Sequence, residues 1–68
     1  MHSKAAVAAL RDMAYHIDLA IRWTEDFTVE RFCADLRTIY AMTRCLEIIS
    51  EASRRLPAEM KARHPSIA

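Results

Sequence analysis

The stretch LRTIYAMTRCLEIISEASRRL, residues 36–56, decides the fold class of this 68-residue chain. Its apolar residues recur at steps of three and four, the spacing that places side chains along one face of an α-helix. The stripe consists of Ile39, Met42, Leu46, Ile49 and Leu56, with Ser53 in register. Asp35 stands directly before it and is a residue type that caps helix N-termini. We therefore predict one helix from Leu36 to about Arg55, and its wide apolar face predicts neighbours on more than one side.

The N-terminal third repeats this periodicity and predicts a second long helix, from Lys4 to about Glu25 with Ser3 as its N-cap. Its apolar stripe consists of Val7, Leu10, Ala14, Ile17 and Ile21. Between the two long helices the pattern breaks, and Thr28 is expected to cap a short helical turn through residues 28–33. Pro57 is expected to open a short third helix as its first residue, and Pro65 to end it.

The composition supports an all-α fold. Glycine is absent, only two prolines occur, and 53% of the residues are hydrophobic. We predict a single domain over residues 1–68, built as an antiparallel helical hairpin plus a short C-terminal helix. Two helices cannot cover both apolar stripes by themselves, so two hairpins are expected to pair into a four-helix bundle. The chain is therefore predicted to form a homodimer or to associate with a partner chain.

The charge balance excludes a strongly basic nucleic-acid-binding footprint. Ten basic residues stand against nine acidic ones, for a formal charge of +1, so any contact with RNA has to be local. Cys33 and Cys45 lack metal-ligand spacing and are expected to be buried, reduced thiols. We predict neither a metal nor another cofactor. No segment is long enough to span a membrane, and a cytoplasmic location is expected.

The stretch RDMAYH, residues 11–16, contains an arginine and a histidine, the pair that can move a proton and neutralise a phosphate in ribonucleases. On an α-helix, residues five apart point about 140° away from each other and lie roughly 7.5 Å apart along the axis. Arg11 and His16 are therefore not expected to face one substrate from this helix.

The helix predicted from Leu36 to about Arg55 carries a polar face with an arginine and two carboxylates among its residues. This face consists of Tyr40, Arg44, Glu47 and Glu51. A solvated, salt-bridged surface is the favoured interpretation. The alternative is a polar site, in which the paired carboxylates serve a metal or acid–base chemistry or receive a basic group of a partner. Farther along, the basic residues Arg54, Arg55, Lys61 and Arg63 either complement helix dipoles or contact an RNA backbone. Trp23 and Phe27 are expected to close the end of the core rather than to stack on bases.

Residues 36–67 resemble the HepT-like proteins, which are HEPN-type ribonuclease toxins partnered by MntA-type nucleotidyltransferase antitoxins. The matching features are a tyrosine, an arginine, Glu-x-x-x-Glu-Ala, two basic residues, Leu-Pro and a Lys-x-x-x-Pro end. The stretch DMAYHI in the first helix also resembles the opening helix of that family. The resemblance covers nearly the whole chain.

This resemblance implies a dimeric all-α bundle that cuts RNA without a metal and is silenced by its nucleotidyltransferase through modification of a tyrosine. In the family, the catalytic Arg-(four to six residues)-His motif lies on a helix after the stretch matched here. We therefore expect a partial domain that ends before that motif, and assign no catalytic residue. As contacts for RNA or a partner we select Arg44, Glu47, Glu51, Arg54 and Arg55.

Three hypotheses follow. The first is a HepT-like protein that is inactive by itself. The second is a helical interaction module that binds a nucleotidyltransferase antitoxin or a homologue through its apolar face. The third is a small RNA-binding hairpin dimer that uses the basic residues near its C-terminus.

Overall fold

The computed structural model describes residues 4–63, and this part of the chain is helical without any strand. The helices are α1 (Lys4–Thr24), α2 (Val29–Ala34), α3 (Leu36–Arg54) and α4 (Ala58–Arg63). The predicted all-α fold is confirmed, and the long helices end within one residue of their predicted limits. The predictions for Ser3 and Pro65 lie outside the described residues.

Both predicted caps inside the hairpin are confirmed. The Thr28 hydroxyl accepts a hydrogen bond from the backbone N–H of Arg31, 3.0 Å away, at the start of α2. One carboxylate oxygen of Asp35 accepts from the backbone N–H of Thr38 at 3.2 Å, at the start of α3. Each side chain satisfies a backbone donor that a helix N-terminus leaves without an intrahelical partner.

The prediction that Pro57 is the first residue of the last helix is wrong by one position. Its carbonyl oxygen accepts hydrogen bonds from the N–H groups of Met60 and Lys61, at 3.1 and 3.2 Å. Pro57 therefore precedes the helix, which begins at Ala58. The proline needs no backbone donor here, and its fixed φ suits a helix entry.

Helices α1 and α3 run antiparallel and meet through small side chains at one end. Ala6, Ala9 and Ala52 are fully buried there, and Leu56 and Met60 are each more than nine-tenths buried. Alanine side chains let two helix backbones approach closely, and Met60 brings α4 over this end of the pair. Met13 packs against the cluster from α1. The core is therefore centred on the start of α1 and the end of α3.

Much of the predicted apolar stripe lies outside this core. Leu10 is 40% exposed, Ile17 is 44%, Ile21 is 59% and Leu46 is 66%. The single hairpin buries only the arc between α1 and α3, because each of these long helices packs against one other long helix rather than two. The expectation that two helices cannot cover both stripes is confirmed.

The other end of the hairpin is held by a hydrogen-bonded chain of three side chains. The indole N–H of Trp23 donates to the Thr38 hydroxyl at 3.1 Å, and that hydroxyl donates to an Asp35 carboxylate oxygen at 3.0 Å. Thr38 is 1% exposed and Trp23 is 47% exposed. Trp23 thus links the two helices by its polar edge, and the prediction that it closes the core by burial is wrong. Phe27 instead carries the Arg31 guanidinium over its ring at 3.9 Å.

The two cysteines have different environments, and both are free thiols. Cys45 is buried on α3, as predicted. Cys33 is exposed, so the prediction that both thiols are buried is wrong. It lies on α2, a six-residue helix without any buried residue. None of the described helices combines the length and the apolar character that a membrane span requires.

Candidate functional site

The polar face of α3 is organised around Arg44. Its guanidinium lies 4.0 Å from a carboxylate oxygen of Glu47 and 3.9 Å from one of Glu51. All three side chains are about 60% exposed. In water each such pair contributes no more than about 1 kcal/mol. The favoured interpretation of this face as a salt-bridged, solvated surface agrees with this geometry.

A shallow groove runs along the same face toward the C-terminal end of α3. It is lined by Thr43, Leu46, Glu47, Ser50, Glu51 and Arg54. Arg54 donates a hydrogen bond to the Ser50 hydroxyl at 3.3 Å. Four of the five selected contact residues therefore lie on one connected polar surface: Arg44, Glu47, Glu51 and Arg54.

The fifth selected residue, Arg55, contacts helix α1 and does not join this polar surface of α3. Its guanidinium bonds the Asp12 carboxylate across the hairpin, at 2.6 Å. Both side chains are about half exposed, so the pair fixes an orientation more than it adds stability. The five selected residues are thus divided between the outer face of α3 and the junction of α1 with α3.

His16 belongs to this junction because it also bonds Asp12. Its Nδ1 lies 2.7 Å from the backbone carbonyl oxygen of Asp12. A carbonyl oxygen can only accept, so Nδ1 carries the proton and, in the neutral ring, Nε2 keeps the free lone pair. The Tyr15 ring meets the imidazole edge-on with ring centroids 5.0 Å apart. The junction therefore holds an imidazole in one tautomer.

Asp12 thus bonds His16 through its backbone carbonyl and Arg55 through its carboxylate, although Arg55 is 39 positions away from His16 in the sequence. The arginine that the RDMAYH stretch itself offers is Arg11, which is exposed on α1. Within residues 4–63, Arg11 makes no hydrogen bond or ion pair with His16. The partnership of Asp12 with Arg55 was missed because it depends on how α1 and α3 are aligned. No local sequence pattern reports that alignment.

The described residues offer no cluster of three or more His, Cys, Asp or Glu side chains that could hold a metal ion. The Asp35 carboxylate has a lowered pKa. The backbone N–H of Thr38 and then its hydroxyl hold the pKa of this group below its ordinary value. Both hydrogen bonds belong to the cap of α3, so this shift is structural rather than catalytic.

Comparison with known proteins adds a family match to this geometry. The family model described as "Ribonuclease HepT-like" matches residues 5–67. A protein of Thermococcus cleftensis named "Probable ribonuclease HepT" is 41% identical over 58 residues, which is 85% of this chain and 53% of that protein.

Two proteins of Methanocaldococcus jannaschii, both named "Putative RNase", are 35% and 33% identical over 60 residues. Each match covers 88% of this chain, and 52% and 50% of the two relatives. The chain therefore spans about half the length of the curated relatives it matches. No solved structure matches the chain.

Proposed function

The chain belongs to the HepT-like ribonuclease family, and we propose that it acts as a helical association module of an RNA-cleaving toxin, in the cytoplasm. The observation that carries this proposal is a continuous apolar face on one side of the hairpin. Family membership is the reason to propose RNA cleavage as the reaction. The exposed apolar face is the reason to propose that the hairpin associates with another chain. Cleavage is proposed to require groups beyond those this hairpin brings together.

The apolar face follows from the helical positions of four exposed apolar residues and of Ile39, which is partly buried. At 100° per residue, Leu10, Ile17 and Ile21 lie within an arc of about 40° on α1. Ile39 and Leu46 lie within about 20° on α3. The arc on α1 is centred about 100° from the buried position Ala9, and the arc on α3 about 110° from the buried position Cys45, both in the same rotational sense. Because the helices are antiparallel, both arcs fall on the same side of the hairpin.

A second copy of the hairpin would cover this face. Stacking two hairpins turns two half-covered stripes into the shared core of a four-helix bundle. The area gained is apolar, and burying a leucine or isoleucine contributes about 1.5–3 kcal/mol. Four residues that are now 40–66% exposed, Leu10, Ile17, Ile21 and Leu46, would be removed from water in each copy.

The proposal that the hairpin does not cut RNA by itself rests on the ion pair between Asp12 of α1 and Arg55 at the end of α3. The Arg55 guanidinium is already engaged by the Asp12 carboxylate, which offsets the charge that a transition-state phosphate requires. Purified protein should be incubated with single-stranded and structured RNA in the presence of EDTA. We expect no cleavage above buffer. Cleavage that His16→Ala abolishes and Tyr40→Ala does not would overturn this part of the proposal.

A nucleotidyltransferase antitoxin is proposed as a partner on the basis of family resemblance. The exposed carboxylates of Glu47 and Glu51, on the outer side of α3, are the surface available to such a protein when the apolar face is occupied. Co-expression with a candidate nucleotidyltransferase and capture through a tag on that protein tests this pairing. Capture that Glu47→Lys/Glu51→Lys abolishes supports the assignment, and capture indifferent to that change contradicts it.

A further inference from the structure

The charges of the hairpin are segregated along its length. The bond between Asp12 and Arg55 marks one end, and the bond between Trp23 and Thr38 lies toward the other. We call residues 4–12 and 51–63 the basic end, because they pack on one another through the buried alanines and Met60. We call residues 18–38 the acidic end. The described part of the molecule measures 43 Å along its longest axis.

The two ends have opposite charge balances. The basic end has six cations, Lys4, Arg11, Arg54, Arg55, Lys61 and Arg63, against three carboxylates, Asp12, Glu51 and Glu59. The acidic end has three cations, Arg22, Arg31 and Arg37, against five carboxylates, Asp18, Glu25, Asp26, Glu30 and Asp35. A formal charge of +1 for the whole chain therefore conceals a positive end and a negative end.

The cations of the basic end are also largely unengaged. Of its six, Arg55 is the one that forms an ion pair within the described residues. Arg54 bonds only the neutral Ser50 hydroxyl. At the acidic end, by contrast, Arg22 is paired with Asp18 at 3.0 Å and Arg31 lies over the Phe27 ring. Cations without a carboxylate partner keep their full attraction for an external anion.

The arrangement of these cations suits an extended polyanion better than a single small anion. They project from α1, α3 and α4, and five of the six are exposed, with Lys61 half-buried. An RNA strand presents one phosphate per nucleotide, and cations spread over several elements can each meet a different phosphate. Arg55 is paired with Asp12, so the other five cations of the basic end are the ones that meet phosphates.

We infer that the basic end is the surface on which this protein holds the phosphate backbone of RNA, and that the acidic end orients the strand by repelling it. This inference rests on the proposed function, which supplies RNA as the polyanion. It adds the location, the participation of α1 through Lys4 and Arg11, and the mode of contact. That mode is electrostatic and independent of base sequence.

The experiment uses two double variants matched in charge and in helix. Arg11→Gln/Arg54→Gln removes one exposed arginine from α1 and one from α3 at the basic end. Arg22→Gln/Arg37→Gln removes one from each of the same helices at the acidic end. The probe is a fluorescein-labelled single-stranded RNA of mixed sequence, and its anisotropy is titrated with protein over a range of salt concentrations.

We expect the basic-end variant to lower the slope of log affinity against log salt by about 1.4, because two contacts to a single strand are lost. Starting from equal affinity at about 1 M salt, this weakens binding roughly 25-fold at about 0.1 M. The acidic-end variant should leave the slope unchanged. Far-UV circular dichroism checks that both variants keep their helices.

Equal losses in the two variants, or no salt dependence in the unmodified chain, would overturn the inference. The readout is binding, so it is separate from cleavage and from association. A chain that associates but binds RNA equally through both ends refutes the inference and leaves the proposed function standing. A monomeric chain that binds through the basic end refutes the association module and leaves the inference standing.

Discussion

The indole N–H of Trp23 donates a hydrogen bond to the hydroxyl of Thr38, 3.1 Å away, and so joins the end of α1 to the start of α3. That hydroxyl in turn donates to Asp35, whose other carboxylate oxygen caps α3. One buried hydroxyl therefore connects the contact between the helices to the start of α3. Because both hydrogen bonds of its hydroxyl are formed within the protein, Thr38 can be a buried polar side chain in the described part of the hairpin.

Replacing Thr38 with valine keeps the side-chain shape and removes both hydrogen bonds of the hydroxyl. At about 0.5–1.5 kcal/mol for each bond, we expect a loss of roughly 1–3 kcal/mol in the free energy of unfolding, measured by urea denaturation. Thr43→Val is the matched control, because the Thr43 hydroxyl is exposed and bonds only the Ile39 carbonyl of its own helix. A Thr38→Val loss no larger than that of Thr43→Val would contradict this role.

A double-mutant cycle tests whether Trp23 acts through Thr38. Trp23→Phe removes the indole donor and keeps an aromatic ring. If the two side chains bond each other, the double variant should lose less stability than the sum of the two single variants. Additive losses would show that the hydrogen bond contributes nothing to the free energy of unfolding.

The pKa of Asp35 predicts an acid dependence of stability. Hydrogen bonds from Thr38 favour the carboxylate and lower this pKa in the folded state. The resulting stabilisation is complete above the unfolded-state pKa of about 3.9, and is lost as the pH falls through the folded-state value.

Asp35→Asn keeps an acceptor for the cap and removes the titration. The stability difference between the unmodified chain and this variant should be constant above about pH 5 and should shrink as the pH falls below about 4. Thermal unfolding followed by circular dichroism between pH 3 and 7 measures it. A difference that grows on acidification would contradict the assignment.

The two thiols should react at different rates. Cys33 is exposed on α2 and Cys45 is buried on α3, so Ellman's reagent should modify one thiol per chain at once and the second only as the helices open. Cys33→Ser should abolish the fast phase and leave the slow one. A native chain in which both thiols react together would contradict the packing of α3 against α1.

The sequence predicts the helices well because the information for them is local. The caps at Thr28 and Asp35 and the three-and-four spacing of the apolar residues each depend on neighbours within one or two turns. Pro57 was misplaced by one residue because a proline suits both the first helical position and the position before it.

The sequence predicts the long-range contacts poorly. Asp12 with Arg55, and Trp23 with Thr38, depend on the alignment of two helices that are far apart in the chain. Cys33 illustrates the limit of residue preference, since cysteine is commonly buried but α2 is too short to bury it. Four of the selected contact residues share one face of α3 because they are spaced three or four positions apart: Arg44, Glu47, Glu51 and Arg54. Arg55 leaves that group because its partner lies on α1.

The central claim is association through the apolar face, and sedimentation velocity of the purified chain at tens of micromolar tests it most directly. Leu46→Glu places a charge in that face, whereas Tyr40→Glu is the matched control. Leu46 and Tyr40 are on the same helix and both 66% exposed, and they point about 120° apart. We predict that the unmodified chain and Tyr40→Glu sediment at twice the chain mass of 7.8 kDa, and that Leu46→Glu sediments as a monomer. An unmodified chain that is monomeric and still melts cooperatively would contradict the claim.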